Sequence, residues 1–587
     1  MFQKLVSFLR VLPATAIPPL VLQLLQFVKH SPSLSRDLLN IINEFFSTRL
    51  CPGDRDGSVT NMNLDSIELD DNSREREELT QAESTVIYHL NKAASSGHAI
   101  GKEVANLAKA GGQAPDLLLQ PFTLFLSLTF VSLKQYQEPI LGSLKSAIIQ
   151  AISMEDARQN YVWTRNHMKK LSDIGDLLSL VITQSKKSGG WDLITEGVLD
   201  LGLCLLDVQT SSKADFKKVK TINHIGARLL SKLIKKQNSS CSLVVSALTD
   251  KILTTNVSNV QYTEALRIVV ADTSTILMET PHVMDELVEN VARLPFNTSR
   301  RALYALLPLV KLSRVLRDHL IIALRKLLFC SSTDARQAAT YGVLLLLKAF
   351  RISTSRSVSQ LSQTQGSGSL SQVAVDVQRG GRMSNEALCL ELLGVLRRCF
   401  TQSPEVKMVF YSGVMEVVNK NPELCEGVLE VAYTHLLYLW GPEGSSRQRW
   451  QLNLDKIGRE ANDSWELEEP VGWFLNCLQQ ITSKTQQVTE GDNEILDKVT
   501  KLLEEMVEKY GNCEPGELGF DETDNFDKKT VAGERKVLQL EQLKGLLESL
   551  IQYIFYHGAV LTMTLTRPTL LGLFKTYNSF TDRDMKF

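Results

Sequence analysis

After Lys536, the residues Leu540, Leu543, Leu547, Leu550 and Ile554 return every three or four positions. That spacing places all five on one face of an α-helix, and no strand can present them together. Similar stripes recur at 20–28, 229–234, 303–310, 320–329 and 343–350. Long alternating runs are scarce, and Asn-Gly, the strongest short hairpin signal, occurs nowhere in the 587 residues. The chain is therefore expected to be all-α. A helix with one apolar stripe must bury it against a neighbour, and many short helices joined by polar turns do so by stacking in pairs as an α-solenoid.

Residues 332–350, STDARQAATYGVLLLLKAF, support this. Ser332 or Thr333 caps a helix, Asp334 sits in its first turn, and a leucine stripe follows Arg336 and Ala338. The pattern is similar to the second helix of a HEAT repeat, with a weaker echo in PEVKMVFYSGVMEVV at 404–418. No strict period emerges, so the predicted architecture is a solenoid of degenerate HEAT/armadillo-like helical pairs interrupted by helical domains. Three stretches break the pattern: acidic 51–83, Ser/Gln/Gly-rich 353–386 and acid-rich 510–535. Each has too little apolar surface to order itself.

Lys plus Arg total 64 and Asp plus Glu 66, so the net charge is -2. The neutral total conceals blocks. Between Arg293 and Arg351 the local net is +9, and between Glu490 and Asp527 it is -10. Nine cysteines without a CxxC fit a reducing compartment and no disulfide scaffold or zinc ribbon. The apolar run Leu117 to Leu133 has 17 residues, short of the ~20 that span a bilayer, and reads as a buried core helix. At the N-terminus Arg10 and Pro18-Pro19 interrupt any signal-peptide core, so helix, loop, helix is expected there. HExxH, GxSxG and EF-hand patterns are absent. GHAIGKE at 97–103 has one residue too few for a phosphate loop and Glu103 where a hydroxyl is needed. No enzyme, metal site, cofactor or membrane association is expected.

Three features carry chemistry. Ser359-Gln360, Ser362-Gln363, Thr364-Gln365 and Ser371-Gln372 cluster within 14 positions. Ser-Gln and Thr-Gln are acceptor dipeptides of the DNA-damage checkpoint kinases, and each phosphate adds about -1.5 to -2 charge. A chance occurrence in a Ser/Gln-rich linker is the plainer alternative. Arg300, Arg301, Arg314, Arg317, Arg325, Lys326, Lys348 and Arg351 fall on successive helices. Lining a solenoid groove they would hold phosphates, with salt-sensitive and sequence-independent contacts; coating helices they would only be solvated. Lys311 follows the stripe Leu303, Leu306, Leu307, Val310 and so borders a buried face, as an ordinary surface lysine also can.

At these residues the sequence resembles the Fanconi anaemia group I family. The segment LPFNTSRRALYALLPLVKLSRVLRDHLIIALRKLLF (294–329) is similar to that family's stretch around its monoubiquitinated lysine, with Lys311 in the acceptor position. TDARQAATYGVLLLLKAF, the SQ cluster and NEALCLELLGVLRRCF (385–400) follow in the family's order, and IPPLVLQLL (17–25) and WDLITEGVLDLGLCLLD (191–207) also agree. The resemblance implies this division: 1–50 end of a first solenoid, 51–84 acidic linker, 85–165 helical domain 1, 166–352 second solenoid. Residues 353–386 are then the phosphorylation loop, and 387–587 part of helical domain 2 with a disordered segment at 490–535. A chain lacking the family's N-terminal cap and C-terminal half is expected.

The resemblance further implies a non-enzymatic DNA-binding scaffold of interstrand-crosslink repair. It would pair with the group D2 paralogue on double-stranded or branched DNA. A checkpoint kinase would phosphorylate Ser359, Ser362, Ser371 and, less securely, Thr364. The Fanconi RING E3 ligase with its E2 would then attach ubiquitin to Lys311. Nuclear placement, on chromatin after damage, rests on the resemblance alone, with the cytoplasm as second compartment. The competing expectation is a HEAT-like transport or cytoskeletal adaptor with a phosphorylated linker.

Overall fold

The computed structural model describes residues 12–50, 66–167, 174–187, 191–209, 216–254, 260–350, 392, 394, 397–442, 450–461, 464–488, 493–511, 513–518, 520, 524, 526–527, 530–557 and 563–584. Two compact units divide the chain, Met1–Leu287 with Arg301–Leu316, and Val288–Arg300 with Arg317–Phe587.

In the first unit the helices of ten residues or more are α1 (Ile17–Val28), α2 (Pro32–Leu50), α3 (Ser66–Ser95), α4 (Ile100–Gly111), α5 (Pro121–Phe130), α6 (Lys134–Asn160), α7 (Ile174–Lys187), α8 (Trp191–Leu206), α9 (Phe216–Lys236), α10 (Cys241–Thr254) and α11 (Val260–Glu279). Proline opens α1 and α5, where its fixed φ suits the first turn and no N–H is missed. Neighbours in space are often the next but one in sequence: α1 packs on α3, α2 on α4, α4 on α6 and α9 on α11, as stacked helical pairs do. Adjacent α8 and α9 approach through glycines. A Cβ at Gly226 would stand 2.9 Å from the Gly202 carbonyl oxygen. Every residue of α5 is buried, as expected of the apolar run. No described helix is long and apolar enough to cross a membrane.

The expected linker at 51–84 is corrected from Ser66 onward. Residues 66–84 belong to α3. The polar run hides a helix because Leu79, Ala82, Val86, Ile87 and Leu90 bury one face while Arg74 and Glu78, four apart, pair at 3.8 Å. That face also holds Glu83, fully buried, with no hydrogen-bond partner for either carboxylate oxygen. Two helices packed there, α1 and α5, and the turn Ala14–Ala16 contain no charged residue. Burial pushes the Glu83 carboxyl up to about 8.

The division of units falls at three points, within the short helix Asp285–Asn290, within α12 (Phe296–Leu312) and within α13 (Arg314–Leu327). The second unit continues with α14 (Thr333–Ala349), α15 (Pro404–Lys420), α16 (Cys425–Leu439), α17 (Val471–Val488), α18 (Glu494–Gly511), α19 (Val531–His557) and α20 (Met563–Asp584). Ser332 caps α14, its hydroxyl accepting from the Ala335 N–H at 3.4 Å. The packing α15 on α17, α17 on α19 and α18 on α20 repeats the next-but-one pattern. The described part of the chain is an all-α solenoid assembly with two small additions. Antiparallel β1 (Trp440–Pro442) pairs with β2 (Trp450–Leu452), and β3 (Gly458–Ala461) with β4 (Ser464–Leu467). Strands of three or four residues are too short to show alternation, so periodicity gave no sign of them.

The expected disorder at 490–535 is corrected at α18. Leu496, Val499, Leu502, Leu503, Met506 and Tyr510 are buried there, while Glu504, Glu505 and Glu508 face solvent. A dense count of acids had masked an amphipathic helix. Beyond it, Leu518, Phe520 and Phe526 are also buried.

The core of the second unit holds a charged cluster. Glu469, 1% exposed, accepts from Lys407 Nζ at 2.7 Å and Tyr411 OH at 2.7 Å, and His435 Nε2 lies 3.0 Å away. Burial alone would raise the Glu469 pKa, but His435 and the Lys407 ammonium outweigh it and hold the carboxyl below its usual range. Phe400 and Phe474 pack against this group, 4.6 Å and 5.0 Å from His435 between ring centroids.

Candidate functional site

Helix α12 buries Ala302, Leu303, Ala305, Leu306, Leu309 and Val310. Lys311 comes next, one residue before the helix ends, and is exposed. Ser313 stops the helix: its N–H donates to the Leu309 carbonyl at 2.8 Å, and its hydroxyl accepts from the Leu316 N–H at 3.3 Å, starting α13. Pro308, inside α12, has no N–H for the helical ladder, which weakens the turn that bears Lys311. Cationic charge is favoured in the last turn of a helix. Tyr304, seven residues earlier and so on the same helical face, is 52% exposed; Leu312 and Val315 are 50% and 70% exposed. The amine therefore stands in an apolar surface in the first unit. As expected, Lys311 borders a buried stripe without being buried.

The basic residues singled out in the sequence differ in how far they are engaged. In the second unit the Arg300 guanidinium lies 5.2 Å from the Tyr341 ring centroid, and Arg317 lies 5.0 Å from that of Phe350. Stacking leaves the charge in place and the fork oriented. Lys348 pairs with Glu416, four-tenths exposed against six-tenths, a surface ion pair of small net worth. Arg314 and Arg325 also have partners. Arg301 and Lys326 are exposed. Arg351, Ser359, Ser362, Thr364 and Ser371 lie outside the described residues.

A second cationic face went unnoticed in the sequence. Helix α9, FKKVKTINHIGARLLSKLIKK, has no acidic residue. Lys217, His224, Arg228 and Lys235 fall at intervals of seven, four and seven and are all exposed, forming a straight row. Neighbouring α11 answers part of this charge: Lys235 lies 3.7 Å from Asp272. The signal was present as a helical period in the basic residues, whereas periodicity had been sought only among apolar ones.

The described cysteines are free, and burial pushes Cys399 and Cys425 up to about 12 and about 11, far from thiolate character at neutral pH. Among the described residues no three His, Cys, Asp or Glu side chains gather where a metal ion could be held.

Four profiles of one family match the chain in order: FANCI solenoid 1 over 1–95, FANCI helical domain 1 over 99–184, FANCI solenoid 2 over 194–344 and FANCI helical domain 2 over 360–584. The Fanconi anemia group I protein of Gallus gallus is 27% identical over 609 residues, covering 99% of this chain and 44% of its own length. Its Mus musculus homolog is 26% identical over 604 residues, with the same coverage. The chain thus spans less than half the length of these curated relatives. Among solved structures, Kap121p bound to Ste12p is similar at 11% identity and a TM-score of 0.21, over 95% of this chain and 56% of that one. An engineered protein is similar at 12% identity and a TM-score of 0.22, over 83% of this chain and 98% of that one.

Proposed function

The chain belongs to the Fanconi anaemia group I family, and on that premise we propose that it is a non-enzymatic scaffold of DNA interstrand-crosslink repair that accepts one ubiquitin on Lys311. The observation that carries this is the placement of Lys311: exposed, in the last turn of α12, among exposed Tyr304, Leu312 and Val315. Isopeptide transfer needs an accessible amine, and a surrounding apolar surface gives a protein partner something to cover. The partner is the group D2 paralogue, which shields the lysine until DNA binding opens the pair for the Fanconi RING ligase and its E2. Double-stranded or branched DNA is held by its phosphates, and the basic residues of 293–351 supply the charge. Phosphates placed on Ser359, Ser362 and Ser371 by a checkpoint kinase bias the opening through that charge. The chain works in the nucleus, on damaged chromatin.

The test is mass spectrometry of the protein from cells treated with a DNA crosslinker. A diglycine remnant on Lys311, lost in Lys311→Arg, is expected. Ubiquitin attached elsewhere, with Lys311 unmodified, refutes the assignment. For the phosphorylation step, replacement of Ser359, Ser362 and Ser371 by Asp is expected to speed ubiquitination on DNA relative to Ala, and equal rates refute it.

A further inference from the structure

Helix α17, VGWFLNCLQQITSKTQQV, has a single charged residue, Lys484, although 22% of the whole chain is charged. Half of this helix is buried in the second unit, which accounts for the missing charge, and the polar positions left to it carry amides that are aligned by one another. Asn476 Oδ1 accepts from Gln479 Nε2 at 3.2 Å and from Gln480 Nε2 at 2.5 Å, while Lys484 Nζ donates to Gln487 Oε1 at 3.4 Å. Helix α17 packs against both α15 and α19, and a cleft of about 320 Å³ opens on it within the second unit. Gln479, Gln480, Lys484 and Gln487 line it from α17, Asn419 from α15 and Gln552 from α19. Gln479 is only 4% exposed, yet its amide borders the cleft. None of the residues lining the cleft is acidic.

We infer that this cleft binds an extended polypeptide segment carrying an acidic side chain. A primary amide offers N–H donors and a carbonyl acceptor on one planar group, which is the complement of a peptide unit. Five such amides converge here. A nucleic-acid backbone presents acceptors and repeated negative charge, and would call for several cations where only Lys484 is provided. From Gln480 to Gln487 is seven residues of helix, roughly 10 Å at 1.5 Å each. That is the length of about three residues of extended chain. Peptide units about three residues apart in the ligand thus find an amide at either end of the row, and Lys484 between them meets the ligand's carboxylate.

The experiment selects a phage-displayed library of random twelve-residue peptides on the full chain, with counter-selection on the Lys484→Glu chain. Recovered peptides are synthesised with a fluorescein label and titrated by anisotropy. They are expected to share an acidic residue at one position. Affinity should fall at least tenfold in Lys484→Glu and at least threefold in Gln480→Ala with Gln487→Ala. It should be unchanged in Lys501→Glu, whose exposed lysine lies on α18 outside the cleft. Melting curves separate a folding defect from a binding defect, and should the charge reversal melt early, the double alanine variant decides. Failure to enrich any peptide, or equal binding to every variant, overturns the inference. It is overturned as well if a twenty-residue oligothymidylate binds the wild type and is lost in Lys484→Glu while no peptide does so.

Discussion

Glu83 makes the stability of the first unit depend on pH in an unusual direction. Its carboxyl is buried without a partner, and its pKa is pushed up to about 8 from an ordinary value near 4.5. Between those two values the unfolded chain has released the proton and the folded chain still holds it. The folded state then binds one more proton, so stability falls by about 1.4 kcal/mol for each pH unit gained. The loss begins near the unfolded value and is complete above about 8. From pH 5 to pH 7 it amounts to about 3 kcal/mol. Glu83→Gln keeps the shape and removes the titration. The variant should therefore gain on the wild type as pH rises, by about 3 kcal/mol across that interval. In a unit of this size that is an advantage of about 5 °C in melting temperature. Comparing the two proteins at each pH cancels the fixed cost of burying an amide instead of an acid, and also cancels every other titrating group. Thermal unfolding followed by circular dichroism at half-unit pH steps measures it. Parallel curves for wild type and Glu83→Gln would refute the argument, because they would mean that Glu83 is ionised with a partner or solvated.

Three further outcomes are expected. Gly226→Ala sets a methyl 2.9 Å from the Gly202 carbonyl, which cannot yield as a side chain would; overpacking of about 1–3 kcal/mol should outweigh the ~1 kcal/mol of helix propensity gained. A urea midpoint equal to or above the wild type's would contradict that close approach. Lys407→Ala leaves Glu469 buried without its ammonium partner and should cost about 3–5 kcal/mol at neutral pH. Because the Glu469 pKa is depressed in the fold, its contribution is present above about pH 4.5 and is lost as pH falls through the depressed value; the deficit of Lys407→Ala should shrink in acid, as urea unfolding at pH 7 and at about pH 3 can show. In filter binding to duplex DNA, Arg301→Ala and Lys326→Ala should each lower the salt slope by up to about 0.9, and Lys348→Ala, already paired with Glu416, by less; equal slopes in all three would remove the basic block from the interface.

The all-α solenoid was legible because a stripe such as Leu540 to Ile554 excludes a strand directly, and α19 is where that stripe lies. What escaped were places where composition and periodicity disagree. α3 as far as Ser84, and α18, were read as unstructured from their charge, although Leu79 to Leu90 and Leu496 to Tyr510 keep a buried face. Charge density predicts disorder only when no apolar period runs beneath it. The short β1–β2 and β3–β4 pairs had no such signal at all. They form between segments fixed by α16 and α17, so their existence depends on tertiary placement more than on their own residues.

Of the site, the sequence disclosed the residues and concealed their engagement. A local net of +9 between Arg293 and Arg351 counts charges as though each were equally available. In the structure Arg300 and Arg317 stack on Tyr341 and Phe350, and Lys348 is taken by Glu416. These engagements have opposite consequences. A guanidinium over an aromatic ring keeps its charge and its donors, and has already given up rotamer freedom that a phosphate would otherwise have to freeze. A lysine in an ion pair must leave its carboxylate before it meets an anion. The aromatic residues of the basic region, which charge counting ignores, thus sort its cations into those oriented with their charge intact and those that neutralise a neighbouring carboxylate. Tyr341, at the middle of α14, and Phe350, which follows its last residue, stand nine residues apart, so a single element holds two arginines from other helices in place. That arrangement requires chain segments distant in sequence to meet, and no pattern within one segment could have announced it.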